Sequence, residues 1–309
     1  MDNKSILLTI RCITYNHAPY IRQCLEGFIM QKTNFSFIVV IHDDASTDGT
    51  GDIINEYAKK YPIIKPILQK ENQYSQGYNR IRLLLDEVIK SKYTAICEGD
   101  DYWTDPQKLQ KQVDFLEANP DYSACFHQAI RHYEGNEYPD TLYADIDNRD
   151  YTGLELYDPK HRPPTASLVM RTDINKSNVY KRFIENNLSF SDIPMFLTCA
   201  NEGKVRGMSD TMCVYRMHAN GMSTIFHNGD KRILKFAADN LAIYKIFGNE
   251  YREECINIYV NDHINFFFHN FHHGRYPIYS LLKVFFSFPK VTLRFLTIRF
   301  KTYIHNNYD

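Results

Sequence analysis

Short apolar runs and segments with helical spacing alternate along the first hundred residues. Four apolar runs predict buried strands, and they are Ile6–Ile13, Phe35–Ile41, Ile63–Leu68 and Tyr93–Cys97. Between these runs apolar residues recur at intervals of three and four, as they do from Ile21 to Ile29, which indicates helices. Strands that alternate with helices form a parallel sheet, and ligands bind such sheets at the carboxyl ends of the strands.

The remainder of the chain adds further strands and helices. Residues 133–163 are polar and have no period, which predicts a long loop. Strands are expected at Ser123–His132, Thr165–Met170 and Val205–Arg216, a helix after Asp105-Pro106, a short helix at Ile193–Ala200, and mainly helices beyond Asn228. The pattern therefore predicts an α/β protein with a helical C-terminal region.

Composition places the chain among ordinary globular proteins. Of its 309 residues, 44% are hydrophobic and 24% are charged, which excludes a disordered or fibrous protein. The formal net charge is −1, so no nucleic-acid partner is expected. The seven cysteines form no C-x-x-C pair, which favours buried free thiols in a reducing compartment over zinc or disulfide sites.

The two ends of the chain bear on its location in the cell. The run Ile6–Ile13 is too short and too polar for a signal peptide or a membrane span, so we expect a cytoplasmic protein. From Arg275 onward, six lysines and arginines stand against one acidic residue. The segments Tyr276–Phe288 and Val291–Ile304 are apolar and aromatic, but each is shorter than the roughly 20 residues that span a bilayer.

The second of these segments has a broad apolar sector edged by cations. One helical face would carry Val291, Phe295, Ile298 and Thr302. Such a helix is expected to lie on an anionic membrane surface, which would make the protein peripheral on the inner face of the plasma membrane. The alternative is a helical pair that packs on the domain while its cations reach solvent.

Paired aspartates follow two of the predicted strands. Asp43-Asp44 ends the second strand and Asp100-Asp101 follows the fourth. Proteins hold Mg²⁺ or Mn²⁺ with one or two carboxylates together with substrate phosphates. An isolated pair is more often a turn cap, but capping does not require pairs at two strand ends. The pairs therefore favour a site for a divalent cation and a phosphate group.

Several stretches, in this order and spacing, resemble the inverting family-2 glycosyltransferases of bacterial surface-polysaccharide type. They are Thr14–Asn16 (TYN), Asp43–Thr50 (DDASTDGT), Glu98–Trp103 (EGDDYW), Ser191-Asp192 and Tyr215–Ser223 (YRMHANGMS). The resemblance implies a GT-A (Rossmann-like) fold of the α/β class, with a mixed, mainly parallel sheet flanked by helices. It also implies a catalytic domain over residues 1–225, followed by a helical region over 226–309.

The resemblance implies a nucleotide site built from the first motifs. Tyr15 would stack on the base, and Thr14 and Asn16 would contribute to the same site. Asp44 would accept a hydrogen bond from the imide N–H of the base, which favours uracil or thymine and therefore a UDP-sugar donor. Asp100 would bind the ribose or share the metal.

The resemblance also implies a metal and a catalytic base. Asp101 would hold Mn²⁺ or Mg²⁺, which neutralises the diphosphate leaving group. His218 would approach the diphosphate or complete the metal shell, although a lone histidine can equally be structural. Asp192 would deprotonate the acceptor hydroxyl as it attacks the anomeric carbon from the face opposite the diphosphate, which inverts that carbon. The expected acceptor is a glycan or a lipid-linked molecule in surface polysaccharide synthesis.

The chain departs from the family pattern in two places. Ala45 stands where glycine is usual, which is a mild change if the backbone there avoids positive φ. The usual G-x-x-x-A-R-N-x-G stretch is reduced to Gly77–Arg82, which leaves Arg80 and Arg82 as candidates for the arginine near the diphosphate. We prefer Arg80, because Arg82 lies close to the apolar face of the helix.

Two further residues are candidates for the acceptor side. Trp103 follows the second aspartate pair and could form a wall of the acceptor site. His127 follows an apolar strand and could face the acceptor. For both residues the alternative is a place in the core.

Two other functions remain as alternatives. A sugar-phosphate nucleotidyltransferase also uses paired aspartates, but it needs a glycine-rich basic loop near the N-terminus, and Thr14–Pro19 contains neither glycine nor lysine. A non-catalytic scaffold of the same fold is the second alternative, although every candidate acid is present.

Overall fold

The computed structural model describes residues 5–77, 79–135, 138–219, 221 and 231–308, with side chains as far as residue 299. The chain divides into two units, Met1–Asn187 with Ser191–His218, and Leu188–Phe190 with Ala219–Asp309. The predicted domain boundary at residue 225 lies outside the described residues, so the catalytic domain over 1–225 and the helical region over 226–309 stay predictions.

The first unit is built on one mixed sheet, which contains nine strands within the described residues. The strands are β1 (Leu8–Thr14), β2 (Phe37–Asp43), β3 (Ile64–Leu68), β4 (Tyr93–Glu98), β5 (Tyr102–Trp103), β6 (Tyr122–Tyr133), β7 (Thr141–Leu142), β8 (Val169–Arg171) and β9 (Lys204–Met217). Their order is β3-β2-β1-β4-β8-β6-β9-β5, and β7 pairs with β6. β1 runs parallel to β2 and β4, whereas β8 runs antiparallel to both of its neighbours.

The helices of the first unit connect these strands. They are α1 (Ile21–Ile29), α2 (Thr50–Lys60), α3 (Arg80–Val88), α4 (Lys108–Ala118), α5 (Gly153–Tyr157), α6 (Asn178–Glu185) and α7 (Asp192–Glu202). Leu8 and Ile10 of β1 belong to one core cluster with Leu25 of α1. Val40 of β2 belongs to a second cluster with Leu85 of α3. Side chains along a strand alternate between its two faces, so strands covered on both sides read as uninterrupted apolar runs.

The second unit is helical over its described part. Its helices are α8 (Arg232–Phe247), α9 (Arg252–His272), α10 (Ile278–Ser287) and α11 (Pro289–Tyr308). One core cluster joins Ala237 of α8, Val260 of α9 and Val284 of α10. The predicted helical C-terminal region is therefore confirmed. Among the described residues, no helix combines the length and the apolar character that crossing a membrane requires.

The structure differs from the predicted elements in two segments. The strand predicted at Thr165–Met170 is a 3₁₀ turn over Thr165–Ser167 followed by β8, because the Ser167 N–H bonds back to Pro164 O (3.0 Å). The loop predicted over 133–163 contains β7 and α5, and Thr152 and Glu155 form a capping box at the start of α5. The seven cysteines are buried and form no disulfide bond, and the predicted reducing compartment stays a prediction.

A lysine lies in the core of the first unit. The Lys108 side chain is fully buried, its Nζ donates to Gln112 Oε1 (2.8 Å), and it lies 4.1 Å from the centre of the Trp103 ring. Burial disfavours the ammonium form and lowers the Lys108 pKa from its ordinary 10.5 to about 8. Below pH 8 the lysine is charged in both the folded and the unfolded state, so the full cost of burying the charge lowers stability there.

We expect Lys108→Met to be more stable than the unsubstituted protein by about 2 kcal/mol at pH 7, after the loss of the Gln112 bond. Between pH 8 and 10.5 the unfolded state holds a proton that the folded state has lost, so the stability of the unsubstituted protein rises and the difference shrinks. Urea unfolding followed by the fluorescence of Trp103, the only tryptophan of the chain, measures this. The control is Lys32→Met, because the Lys32 side chain is exposed. A Lys108→Met variant that is less stable than the unsubstituted protein at pH 7 would contradict the prediction.

Candidate functional site

Three loops meet at the carboxyl edge of the sheet. Thr14 is paired with Asp43, and Ile13 is paired with Glu98, so β1, β2 and β4 end at the same level. The Gly99 N–H extends this pairing by donating to Ile13 O (2.9 Å). The loop that carries the first motif therefore lies between the two aspartate pairs.

The approach of β1 to the turn after β4 requires glycine. A Cβ atom at Gly99 would lie 2.6 Å from Thr14 Oγ1 and 2.7 Å from Thr14 Cβ, which is closer than such atoms can approach. Thr14 is buried beneath this turn. Its side chain therefore supports the turn, whereas its contribution to nucleotide binding stays a prediction.

Hydrogen bonds tie the loop after β1 to the loop after β2. The bonds run from Asn16 N–H to Ser46 Oγ (2.8 Å), from Thr47 N–H to Asn16 Oδ1 (2.9 Å), from His17 N–H to Thr50 Oγ1 (2.9 Å) and from Ala18 N–H to Asp48 Oδ2 (2.9 Å). Asn16 has φ 53°, a left-handed conformation that asparagine tolerates better than most residues. Much of the DDASTDGT motif thus holds the first loop in place.

Two of the predicted nucleotide residues differ in how far they are exposed. The Tyr15 side chain is 47% exposed, so its ring is open to a planar ligand. Asp44 is only 2% exposed, and its carboxylate accepts the backbone N–H groups of Gln73 (2.7 Å) and Tyr74 (3.1 Å). Each carboxylate oxygen has two lone pairs, so Asp44 can still accept another donor.

The two candidate arginines lie in different environments. Arg80 is exposed, and its Nε donates to Gln73 Oε1 (3.2 Å), which places it on the side of Asp44. Arg82 is buried with its guanidinium 4.5 Å from the centre of the Phe183 ring, and its Nε and Nη1 have no hydrogen-bond partner among the described residues. The preference for Arg80 stays a prediction.

Three side chains from separate loops converge on one point. His218 Nε2 lies 3.1 Å and His17 Nε2 lies 3.6 Å from Asp100 Oδ2, and the three possible ligand atoms lie within 4.8 Å of one another. His17 follows β1, Asp100 follows β4 and His218 follows β9. One carboxylate oxygen and two imidazole nitrogens form a donor set that fits a divalent transition metal such as Mn²⁺.

The cluster differs from the predicted metal ligands in two residues. Asp101 is 2% exposed and lies outside it, because its Oδ1 accepts the Arg216 N–H (2.9 Å) from β9. His17 was not among the predicted ligands. Its position in the turn that follows β1 was the available signal, since that turn lies at the edge where ligands bind.

Arg216, from the Y-R-x-H segment, locks β9 against the turn after β4. Its Nε donates to Asp100 O (2.8 Å), its Nη2 donates to Gln23 Oε1 (2.7 Å), and its Nη1 pairs with Glu134. This places His218, two residues further on, against Asp100. The end of the same motif, residues 220, 222 and 223, lies outside the described residues.

The acidic residues of this edge influence one another. Burial, and then the charge of Asp100, hold the pKa of Asp101 well above its ordinary value. Burial raises the pKa of Glu98 in the same way, against a hydrogen bond from Thr165. Burial also opposes ionisation of Asp100, but the His218 hydrogen bond and the histidine charges outweigh it and lower that pKa. Burial lowers the pKa of His17, which favours the neutral imidazole that a metal requires.

Asp192 begins α7 with a half-exposed carboxylate. Arg162 Nε lies 3.8 Å from its Oδ2. Burial raises the pKa of Tyr143, and the negative charge of Asp192 raises it further. Asp101 contributes a smaller effect in the same direction, so the Tyr143 hydroxyl is influenced by both carboxylates. Arg162 and Tyr143 come from the segment that the sequence predicted only as a loop, so sequence reasoning missed both.

The two acceptor-side candidates lie in the core, which favours the alternative that the sequence left open for both. Trp103 is 2% exposed, and its Nε1 donates to Ala166 O (2.8 Å) because β5 turns the ring into the main core cluster. His127 is fully buried on β6, with its Nδ1 2.8 Å from Gln128 O. Both side chains are buried among the described residues, so a role in acceptor binding stays a prediction.

Comparison with known proteins identifies relatives of the chain. The family model described as Glycosyl transferase family 2 matches residues 9–177. The chain is 36% identical over 216 residues to the Mycobacterium tuberculosis (strain H37Rv) protein Rv1520. This alignment covers 70% of this chain and 60% of the length of that relative. It is also 32% identical over 219 residues to the Escherichia coli protein WfaP, a UDP-Glc:alpha-D-GlcNAc-diphosphoundecaprenol beta-1,3-glucosyltransferase. That alignment covers 70% of this chain and 80% of WfaP.

Solved structures share the fold at low sequence identity. Staphylococcus aureus TarS 1–349 in complex with UDP-GlcNAc superposes with a TM-score of 0.59 at 18% identity, over 84% of this chain and 73% of that one. The mannosyltransferase PcManGT from Pyrobaculum calidifontis, in complex with GDP-Man and Mn²⁺, gives 0.55 at 14% identity, over 86% and 75%. The mixed, mainly parallel sheet with its helical C-terminal region thus has the predicted GT-A fold.

The backbone at Ala45 has φ 63°, so the condition for a mild departure from the family's glycine is not met. A left-handed conformation costs an L-residue roughly 1–2 kcal/mol, and glycine avoids that cost but loses more chain entropy on folding. We therefore expect Ala45→Gly to raise the free energy of unfolding by about 0.5–1 kcal/mol. Urea unfolding followed by Trp103 fluorescence measures the change.

The control for this prediction is Ala58→Gly, in the last turn of α2. It should lower stability by up to about 0.5–1 kcal/mol, because glycine weakens a helix. Equal destabilisation by both substitutions would contradict the strain at Ala45.

Proposed function

Since the chain belongs to glycosyl transferase family 2, we propose that it transfers a sugar from a nucleotide-diphosphate sugar to a hydroxyl of a glycan or lipid-linked acceptor in surface polysaccharide synthesis. The observation that carries this proposal is the cluster of His17, Asp100 and His218, which lies at the same sheet edge as the exposed Tyr15 ring. The Escherichia coli relative, named for a UDP-glucose donor and a diphosphoundecaprenol acceptor, supports the same class of reaction.

We propose that a uridine nucleotide binds between the loops after β1 and β2. Tyr15 stacks on the base, and Asp44 accepts its imide N–H with a lone pair that the backbone leaves free. A UDP-sugar is the favoured donor, which the UDP-GlcNAc held by the TarS structure supports. Arg80 lies on the same side and can approach the diphosphate.

His17, Asp100 and His218 are the residues that would hold a divalent cation, and the bound cation would neutralise the charge on the diphosphate leaving group. Two imidazole nitrogens suit Mn²⁺ better than Mg²⁺, which prefers oxygen ligands. Asp101 acts through Arg216, since its carboxylate holds the backbone of the residue that positions His218.

Asp192 is the proposed base. Its exposed carboxylate can accept the proton of the acceptor hydroxyl as the oxygen attacks the anomeric carbon. The C–O bond to the diphosphate breaks on the opposite face, so one displacement inverts that carbon. Arg162 Nε lies 3.8 Å from Oδ2 of this carboxylate. A screen of sugar nucleotides with Mn²⁺, scored by release of the nucleoside diphosphate, identifies the donor and tests the reaction class.

We expect Asp100→Asn to weaken Mn²⁺ binding in the presence of UDP at least about tenfold, because it replaces the carboxylate of the cluster with a neutral amide. His17→Gln should weaken binding as well. Asp101→Asn should bind Mn²⁺ nearly normally, because an amide oxygen can still accept the Arg216 N–H. Titration of the free Mn²⁺ signal by electron paramagnetic resonance gives each affinity without any activity measurement.

The matched control for the metal prediction is His272→Gln, which removes an exposed imidazole at the end of α9 in the second unit. Unchanged affinity in both Asp100→Asn and His17→Gln would overturn the assignment. A large loss in Asp101→Asn alone would return the ligand role to Asp101.

We expect Asp192→Asn to slow release of the nucleoside diphosphate by about 10²–10⁴-fold while UDP affinity stays nearly constant, because a proton acceptor acts mainly in the transition state. Steady-state kinetics with the identified donor, and calorimetric titration with UDP, separate the two effects. Glu202→Gln, at the other end of α7, is the control. An Asp192→Asn protein with most of its activity would assign the base to another residue.

A further inference from the structure

Among the described residues of the second unit, α10 packs on its neighbours with one face. On that face Ser280 Oγ donates to His263 O (3.1 Å) of α9, and Val284 belongs to the core cluster. Both side chains are fully buried. This face accounts for the attachment of α10 to its neighbour.

The opposite face of α10 is apolar and exposed. Successive residues of an α-helix are turned by 100°, so the exposed apolar side chains cover about 120° of the circumference. They are Ile278, Tyr279, Leu282, Phe285 and Phe286. Phe286 is 79% exposed. A helix that is apolar on both faces is typical of a core or of contact with lipid, rather than of a surface in water.

Exposed aromatic side chains extend this surface beyond the helix. Phe271 lies near the end of α9 and Tyr276 lies just before α10, with their ring centres 5.3 Å apart. We call Phe271, Tyr276 and the five side chains of α10 the apolar patch. Large exposed apolar side chains that cluster in this way often mark sites of interaction.

Exposed cations lie in the same stretch of sequence as the apolar patch. Arg275, Lys283 and Lys290 are exposed before, within and after α10. The sequence contains no aspartate or glutamate from residue 275 to residue 308. Aromatic rings next to cations match the head groups of an anionic bilayer, where the rings enter the interface and the cations meet phosphates.

We propose that the apolar patch docks this chain on an anionic lipid bilayer, with α10 lying in the plane of the head groups. A helix of ten residues is about 15 Å long, which is half the thickness of the hydrocarbon core, so α10 lies along the surface. The sequence indicated a face of the next helix that includes Val291 and Phe295. In the structure these two side chains pack against the core cluster, so α10 carries the docking face instead.

Sedimentation of the full-length protein with vesicles tests this proposal. We expect binding to vesicles of phosphatidylglycerol and phosphatidylcholine, and little binding to phosphatidylcholine alone. The double substitution Leu282→Ala/Phe286→Ala should lower the partition coefficient at least about tenfold. Lys283→Gln/Lys290→Gln should weaken binding at low salt and have little effect at high salt, because salt screens surface charge.

The matched control is Val88→Ala/Leu142→Ala, which trims two exposed apolar side chains of the first unit and should bind as the unsubstituted protein does. Circular dichroism checks that each variant folds; the four substituted side chains of the two patch variants are exposed, so folding should be preserved. Since no donor or acceptor is present, a failure here is distinguishable from a failure of the proposed reaction.

Two results would overturn the docking proposal. The first is that the unsubstituted protein does not bind anionic vesicles at low salt, or that the Leu282→Ala/Phe286→Ala variant binds them as well as the unsubstituted protein does. The second is a dimer, seen by sedimentation velocity, that the same substitution converts to monomers while vesicles bind neither form. That result would assign the apolar patch to contact between two copies of the chain.

Discussion

The parallel pairing of β1 with β2 and β4 is the constraint on which the rest of the first unit depends. Its register sets Thr14 level with Asp43 and Ile13 level with Glu98, so three loops distant in sequence begin at one edge. A slip of one residue would turn the buried side chains of β1 to the opposite face, and the core on both sides of the sheet prevents this. The site is therefore a consequence of core packing.

Acidic side chains are concentrated at this edge of the sheet, and a small number of hydrogen bonds stabilise them. Glu98, Asp100 and Asp101 fall within four residues, and burial makes each carboxylate sensitive to the others. Arg216 holds the turn through its backbone and its guanidinium, Thr165 donates to Glu98, and His218 donates to Asp100. A divalent cation at the cluster would relieve the remaining repulsion, which is a physical reason for a metal there independent of family membership.

The motif residues divide into those that build the site and those left open to a ligand. Asn16, Ser46 and Asp48 satisfy one another or nearby backbone groups, and so fix the loop that presents Tyr15 and His17. The apolar side chains of α10 divide in a similar way. One face of this helix packs in the core of the second unit, and the other face is exposed. In both cases the exposed part is what supports a proposed interaction.

The sequence by itself predicted most of the elements and the sheet edge at which the candidate site lies. Apolar periodicity is a local property, so the four strands of the first hundred residues, their helices and the aspartate pairs at two strand ends followed from it. Short segments such as Thr165–Met170 were assigned wrongly, because a backbone bond to Pro164 closes a turn that no periodicity signals.

Only the tertiary structure decided the directions of adjacent side chains at the end of a strand. Asp100 joins His17 and His218 while Asp101 turns to β9, and this depends on pairing between segments more than a hundred residues apart. Long-range packing also buries Trp103 and fixes the left-handed backbone at Ala45. The direction of a side chain at the end of a strand is set by the partners that tertiary contacts supply, and those partners leave no trace in local spacing.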